Sequence, residues 1–291
     1  MLKLPNFIII GAMKSATSTL QEQLVQQPGL YMSDPKEPNF FSDDDQYNKG
    51  IGWYAGLFEC FPSEGLLGEA STHYTKLPTY PKTIDRIYEH LSNIRYVYVM
   101  RHPIDRLVSH YTHEWSTGNY NCDINEAINR YPELIEYSCY AMQLEPYFER
   151  FSKDNVFPVF FDRLITESQE ELERVCKFIG YKRKPNWSFD LEAQNVSSER
   201  LRRFPFYNFL VDSRVAEIIR RKLIPKFIRE AIKSRFRMKN RPVINEETLL
   251  RLENIFNKDL EKLSKWVDKD INCNNFKIVT SSESINWSIN Y

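Results

Sequence analysis

The chain opens on four consecutive apolar residues, Phe7-Ile8-Ile9-Ile10, closed by Gly11 with no polar position interleaved. A run of that length without alternation predicts a strand covered on both faces, as parallel strands are. A polar loop follows, then a helical stretch from about Thr17 to Gln27 that Pro28-Gly29 stops. Beyond an acidic, aromatic-rich connection, residues 65–69 predict a short strand and 81–91 a helix. The β-branched and aromatic run 94–100 predicts another strand, and Pro103 stands where the first turn of a helix running to about Trp115 accepts it. Helical patterns near 124–130 and 137–151 precede a strand at 156–161, and Ser168-x-x-Glu171 reads as a capping box opening a helix to Ile179. Strands alternating with helices predict an α/β fold, a mostly parallel central sheet flanked by helices on both faces. The last third loses strand character, and its clearest element is a helix over 246–266 whose apolar residues Leu249, Leu250, Leu252, Ile255, Phe256, Leu260 and Leu263 predict core packing. One domain is expected over 1–291, an α/β core over 1–180 followed by a helical part over 181–291.

Charge adds two constraints. The 39 Lys and Arg balance 39 Asp and Glu, which argues against a dedicated nucleic-acid binder. The balance is uneven along the chain, since Arg200 to Arg241 holds fourteen basic residues against three acidic ones. Within it, segment 220–238 sets apolar residues at helical spacing among lysines and arginines. Two readings stand: a stripe packed on the domain with solvated charges, or an interfacial helix making peripheral contact with an anionic membrane. No apolar run approaches the roughly 20 residues that span a bilayer. The first residues enter the strand pattern with no room for a signal peptide, so a cytoplasmic protein is expected. The five cysteines are odd in number and widely spaced, indicating neither a disulfide framework nor a thiolate zinc site.

The candidate chemistry begins at Gly11-Ala12-Met13-Lys14-Ser15-Ala16-Thr17-Ser18-Thr19, which joins a buried strand to a helix N-terminus. Free N–H groups and the helix dipole favour an anion there, with Lys14 and several hydroxyls beside them. The bland alternative is an ordinary polar turn with an exposed lysine. The spacing is neither Walker A, whose lysine follows a second glycine, nor the Rossmann fingerprint, since Gly50-x-Gly52-x-x-x-Gly56 is wrongly spaced and carries Trp53. His110-x-x-His113-Glu114 places two imidazoles on adjoining helical turns, but the order is not that of a zinc protease and no third ligand is evident, so no metal is expected.

A lysine early in the loop followed by hydroxyls resembles the 5'-phosphosulfate loop of sulfotransferases that use 3'-phosphoadenosine 5'-phosphosulfate (PAPS). Arg101-His102-Pro103, with Ser109 two turns on, resembles that family's 3'-phosphate motif. Pro35-Lys36-Glu37-Pro38-Asn39-Phe40-Phe41 and Gly68-Glu69-Ala70-Ser71-Thr72-His73-Tyr74 are similar to segments of its carbohydrate (heparan sulfate type) branch and bacterial relatives, and Asn195 to Arg203 is similar to its late nucleotide-covering loop. The resemblance implies a P-loop-like fold with PAPS as co-substrate and adenosine 3',5'-bisphosphate (PAP) as product, and an acceptor that is a glycan, a glycolipid or a small hydroxylated metabolite. It places Lys14, Ser15, Ala16, Thr17, Ser18, Arg101, Ser109, Arg202 and Arg203 on the nucleotide. It makes Lys14 the cation for the leaving oxygen, Glu69 the general base with His73 as the alternative, and Lys36 a residue holding the acceptor or sulfuryl group. Ala16 departs from the usual glycine, so a left-handed conformation there would be strained by around 1 kcal/mol. Two rival readings remain at this point: a P-loop kinase or NTPase with Asp162 as the magnesium-binding acid, and a non-catalytic nucleotide-binding protein on the same fold.

Overall fold

The computed structural model describes residues 2–62, 64–91, 94–191 and 241–288. Arg202, Arg203 and the basic segment 220–238 lie outside the described residues.

Five strands form one parallel sheet: β1 (Phe7–Gly11), β2 (Leu30–Met32), β3 (Leu66–Ala70), β4 (Arg95–Met100) and β5 (Val156–Phe160), in the order β2-β3-β1-β4-β5. In chain order the described helices are α1 (Thr17–Val25), α2 (Asp44–Tyr47), α3 (Gly50–Gly56), α4 (Thr83–His90), α5 (Pro103–Thr117), α6 (Ile124–Arg130), α7 (Glu133–Glu136), α8 (Tyr140–Arg150), α9 (Phe161–Thr166), α10 (Ser168–Ile179), α11 (Glu246–Val267) and α12 (Phe276–Ser282).

The apolar run of β1 is explained by its central place. Ile8 and Ile10 enter one core with Tyr96, Tyr98 and residues of α4, α5, α8 and α11, while Phe7 and Ile9 enter another with Leu20 and Leu24 of α1 and Leu172, Val175 and Ile179 of α10. Burial on both faces leaves no position for a polar side chain. Pro158 is tolerated inside β5 because β5 is an edge strand. Gly11 ends β1 at φ 150°, where an added Cβ would fall 2.0 Å from Thr75 Oγ1.

Several details differ from the sequence expectation. The connection before β3 contains β2, α2 and α3, and Phe161 begins α9 instead of ending β5. Ser168 opens α10 without capping it: its hydroxyl donates back to the Leu164 and Ile165 carbonyls at 2.8 and 3.2 Å. Glu171, the expected partner in the box, is fully buried and binds Arg163 and Arg174 at 2.9 and 2.5 Å. Two guanidiniums hold that carboxylate more strongly than one backbone N–H would. On α11 the buried stripe is Leu252, Phe256, Leu260, Leu263 and Val267, whereas Leu250 is 61% exposed.

Because every strand is parallel, all carboxyl ends lie along one edge of the sheet. The chain builds β2 and β3 on one side of β1, then crosses to β4 and β5 on the other. The crevice between the ends of β1 and β4 is therefore a switch point, the place where α/β sheets bind ligands. It falls between the Gly11–Thr19 loop and Arg101.

Candidate active site

A cleft of about 840 Å³ opens over the carboxyl edge. Lys14, Ala16, Thr17, Ser18, Arg101 and Ser109 line it, as do His73 and two carboxylates, Glu37 and Glu114. The loop after β1 is shaped by two left-handed non-glycine residues, Lys14 at φ 71° and Ala16 at φ 65°. Left-handed residues so placed turn successive backbone N–H groups into a concavity that accepts an anion. Ala16 is the N-cap of α1 and supplies no capping side chain, so the first-turn N–H groups have no side-chain acceptor. Ser15 points the other way: it is fully buried, and its N–H donates to the Ala12 carbonyl at 3.2 Å.

Arg101 follows β4 directly. Its Nη1 donates to the Lys14 carbonyl at 3.2 Å and its guanidinium lies 4.5 Å from the Phe161 ring centroid, which ties loop, arginine and α9 into one wall. Its Nε is buried with no hydrogen-bond partner among the described residues, and burial lowers its pKa from the ordinary arginine value. A phosphate would satisfy that donor and reverse the shift. Ser109, on the next helix, lines the same cleft. Trp187 and Phe189 also line the cleft, the latter 81% exposed. Their segment is fastened to α1 by two glutamines. Gln23 gives and receives a hydrogen bond with the Ser188 backbone at 2.8 Å each way, and Gln27 does the same with Asn186 at 3.0 Å.

Several groups at the cleft can exchange protons. Glu37 sits on a strap, residues 36–41, crossing the end of β3; its side chain is 34% exposed and Thr72 Oγ1 lies 3.5 Å from its Oε2. Lys36 donates to Ser18 Oγ, joining the strap to α1, and burial lowers its pKa. His73 lies on the cleft wall, stacked on Tyr80 at 4.7 Å, with its pKa pushed down to about 4 by burial and then by Lys76. It is neutral at pH 7 and a weak base. Lys76 lines the cleft although it is only 9% exposed, and burial lowers its pKa to about 8 against the opposing pull of Glu37 and Glu114. Glu114 Oε1 lies 3.7 Å from His110 Nε2 and 3.9 Å from His113 Nε2, so both imidazoles of the helical pair face one carboxylate.

Glu69 does not line the cleft. It is 0% exposed and lies behind the strap, accepting from Tyr54 Oη and from Ser71 Oγ at 2.5 Å. Burial pushes its pKa up to about 7. Asp162 is the second residue of α9, where burial raises its pKa, and it is not among the residues that line the cleft. The sequence gives Glu37 no role apart from its segment, places Glu114 only beside the two histidines, and offers no signal for Lys76, Trp187 or Phe189 at the cleft. The two glutamates each sit in a matching segment, and only the geometry tells which one faces the cleft.

A sulfotransferase domain model matches residues 4–266, so the chain belongs to the PAPS-dependent sulfotransferase family. Among curated relatives, human heparan sulfate glucosamine 3-O-sulfotransferase 5 is 31% identical over 194 residues, 61% of this chain and 54% of that one. A membrane-associated sulfotransferase, kil1, of Dictyostelium discoideum is 36% identical over 124 residues, 41% of this chain and 25% of that one. The chain thus spans about half the length or less of these relatives. A sulfotransferase from Alicyclobacillus acidocaldarius superposes with a TM-score of 0.63 at 21% identity, covering 92% of this chain and 97% of that one, and shares the fold. Among the described residues no helix is long and apolar enough to cross a membrane.

Proposed function

We propose that this protein moves a sulfuryl group from PAPS to a hydroxyl or amine of an acceptor, with Glu37 as the general base. The observation that carries the reading is the meeting, in one cleft, of an anion cradle, a lysine, an arginine with an orphaned donor and a carboxylate.

The cradle fits the donor nucleotide. Lys14 and the first-turn N–H groups of α1 hold the 5' end, Arg101 and Ser109 the 3'-phosphate, and Trp187 with Phe189 offers a face for the adenine. PAPS supplies the sulfuryl group that passes in line to the acceptor. Lys14 neutralises the charge that develops on the phosphate oxygen left behind. Glu37 takes the acceptor proton, because it is the partly exposed carboxylate on the strap beside Lys36, whereas Glu69 is sealed behind that strap. His73, weakly basic and on the cleft wall, contacts the acceptor instead. The named activity of the 3-O-sulfotransferase relatives supports a glycan acceptor, and Lys76 in the cleft suits one bearing an acidic group.

The test is transfer of labelled sulfate from PAPS to heparan sulfate, a glycolipid and small hydroxylated metabolites, with Glu37→Gln and Glu69→Gln compared. Transfer to at least one acceptor, with Glu37→Gln reduced roughly a hundredfold or more and PAP binding retained, is expected. PAP binding without transfer to any acceptor would leave a nucleotide-binding protein and sink the enzymatic reading.

A further inference from the structure

Glu69 is buried in one of the segments that carry the family resemblance, yet it cannot touch an acceptor. Its surroundings say what it holds. Three hydroxyls surround the carboxylate, those of Ser71, Tyr54 and Tyr74, and each belongs to a residue that also touches the strap. Ser71 Oγ donates to Glu69 Oε1 at 2.5 Å and accepts the Asn39 N–H at 3.1 Å. Tyr74 Oη accepts the Phe41 N–H at 3.4 Å. Tyr54 Oη donates to Glu69 Oε2, and its ring stacks on Phe40 at 4.8 Å and meets Phe41 edge-on at 5.0 Å.

The strap needs such fastening. Glu37 at φ 53° and Asn39 at φ 52° are left-handed residues on either side of Pro38; asparagine tolerates that conformation, whereas a glutamate adopts it where its surroundings impose it. A second anchor, the Glu37 N–H on the Ala70 carbonyl at 3.1 Å, fixes the strap to the end of β3.

We infer that Glu69 is a positioning residue: through Ser71, Tyr74 and Tyr54 it clamps strap 36–41 and so fixes where Glu37 stands in the cleft. The inference rests on the reading of Glu37 as the base. The carboxylate form is the one that clamps. It accepts only, so all three hydroxyls turn their protons toward it and leave oxygen lone pairs for the Asn39 and Phe41 N–H groups. A protonated Glu69, or a glutamine, brings a donor of its own into the cluster. One hydroxyl then turns its proton elsewhere, and the arrangement that receives the strap is lost. The titratable groups facing Glu69 are Tyr54 of α3, Tyr74 after β3, Tyr147 of α8 and Glu37 on the strap. Burial is the largest influence on its pKa, and it places the change of form near neutrality.

The experiment compares the wild-type chain with Glu69→Gln and Ser71→Ala, all saturated with PAP. Hydrogen–deuterium exchange of the peptide covering 36–42 is followed from pH 6 to 8.5 and corrected for intrinsic rates. Wild-type protection should rise about tenfold with pH, whereas Glu69→Gln should be weakly protected and flat. Ser71→Ala, which removes only the link to Asn39, should also be weakly protected. Steady-state transfer to heparan sulfate should show kcat down about tenfold in both variants with KM for PAPS within twofold. Wild-type protection in either variant at every pH overturns the inference, as does a Glu69→Gln enzyme that has lost kcat with its strap intact. Should the wild-type chain transfer no sulfate, the functional reading fails, and the exchange measurement still decides whether Glu69 clamps the strap.

Discussion

A carboxylic acid kept at 0% exposure should leave a mark on stability as well as on geometry. Burial raises the Glu69 pKa from 4.5 to about 7, so the folded chain holds its proton more tightly than the unfolded chain does. The stabilisation from that proton is fully present below the unfolded pKa and is lost as pH rises through the folded one. At about 1.4 kcal/mol per pKa unit, the native state gives up roughly 3 kcal/mol from this group on going from below pH 4.5 to above pH 7. Glu69→Gln removes the titration while keeping the size of the side chain. Its stability relative to the wild type should therefore improve by about 2 to 3 kcal/mol between pH 5 and pH 8, whatever its offset at pH 5. Urea unfolding of both chains at several pH values in that window measures the difference directly. Parallel stability profiles, with no change in the gap, would show that Glu69 titrates normally and would refute the account of its burial. Combined with lost turnover, a variant that gains stability with pH would mark a group that costs the fold and serves the site.

Three other substitutions probe the cleft and its support. Arg101→Ala should weaken PAP roughly 10- to 100-fold, the equivalent of losing a charge-assisted contact, while leaving adenosine 5'-phosphate nearly unchanged by titration calorimetry. Gln23→Leu strands the N–H and carbonyl of Ser188, so it should cost about 2 kcal/mol or more and loosen PAP, read by thermal unfolding with and without the nucleotide. Gly11→Ala forces a Cβ to within 2.0 Å of Thr75 Oγ1 at φ 150°, and a loss of more than about 2 kcal/mol is expected by urea unfolding.

The frame of the molecule was legible where burial dictates residue type. An unbroken apolar β1, the glycine that ends it and the proline that opens α5 each follow from backbone physics read one residue at a time. That Lys14 and Arg101 share a cleft was legible because both follow strand ends on one edge of the sheet. Three residues of β2 were too few to form a pattern, and α2 and α3 lie in a stretch whose aromatics give no clear period. The capping box failed because Glu171 is taken by two arginines, Arg163 of the preceding helix and Arg174 one turn further along α10. Which of Glu37 and Glu69 lines the cleft was the largest gap. Both are glutamates in matching segments, and the fact that separates them, which one the strap covers, depends on left-handed turns at Asn39, a residue type that tolerates them, and at Glu37, one that does not announce them.

The central place of β1 also dictates when the protein can fold. Its neighbours are β3, some 60 residues later, and β4, nearly 90 residues later, so a growing chain presents Phe7-Ile8-Ile9-Ile10 unpaired until both have been made. One face of that strand then waits for α11, whose Leu252, Phe256 and Leu260 complete the core beside Ile8 and Ile10. Contacts of such long sequence separation make folding slow, and an apolar strand with both edges open is a template for pairing with another chain in the meantime. Synthesis at low temperature or with chaperones should therefore raise the soluble yield, and fragments ending before α11 should aggregate even though they contain every residue placed in the cleft.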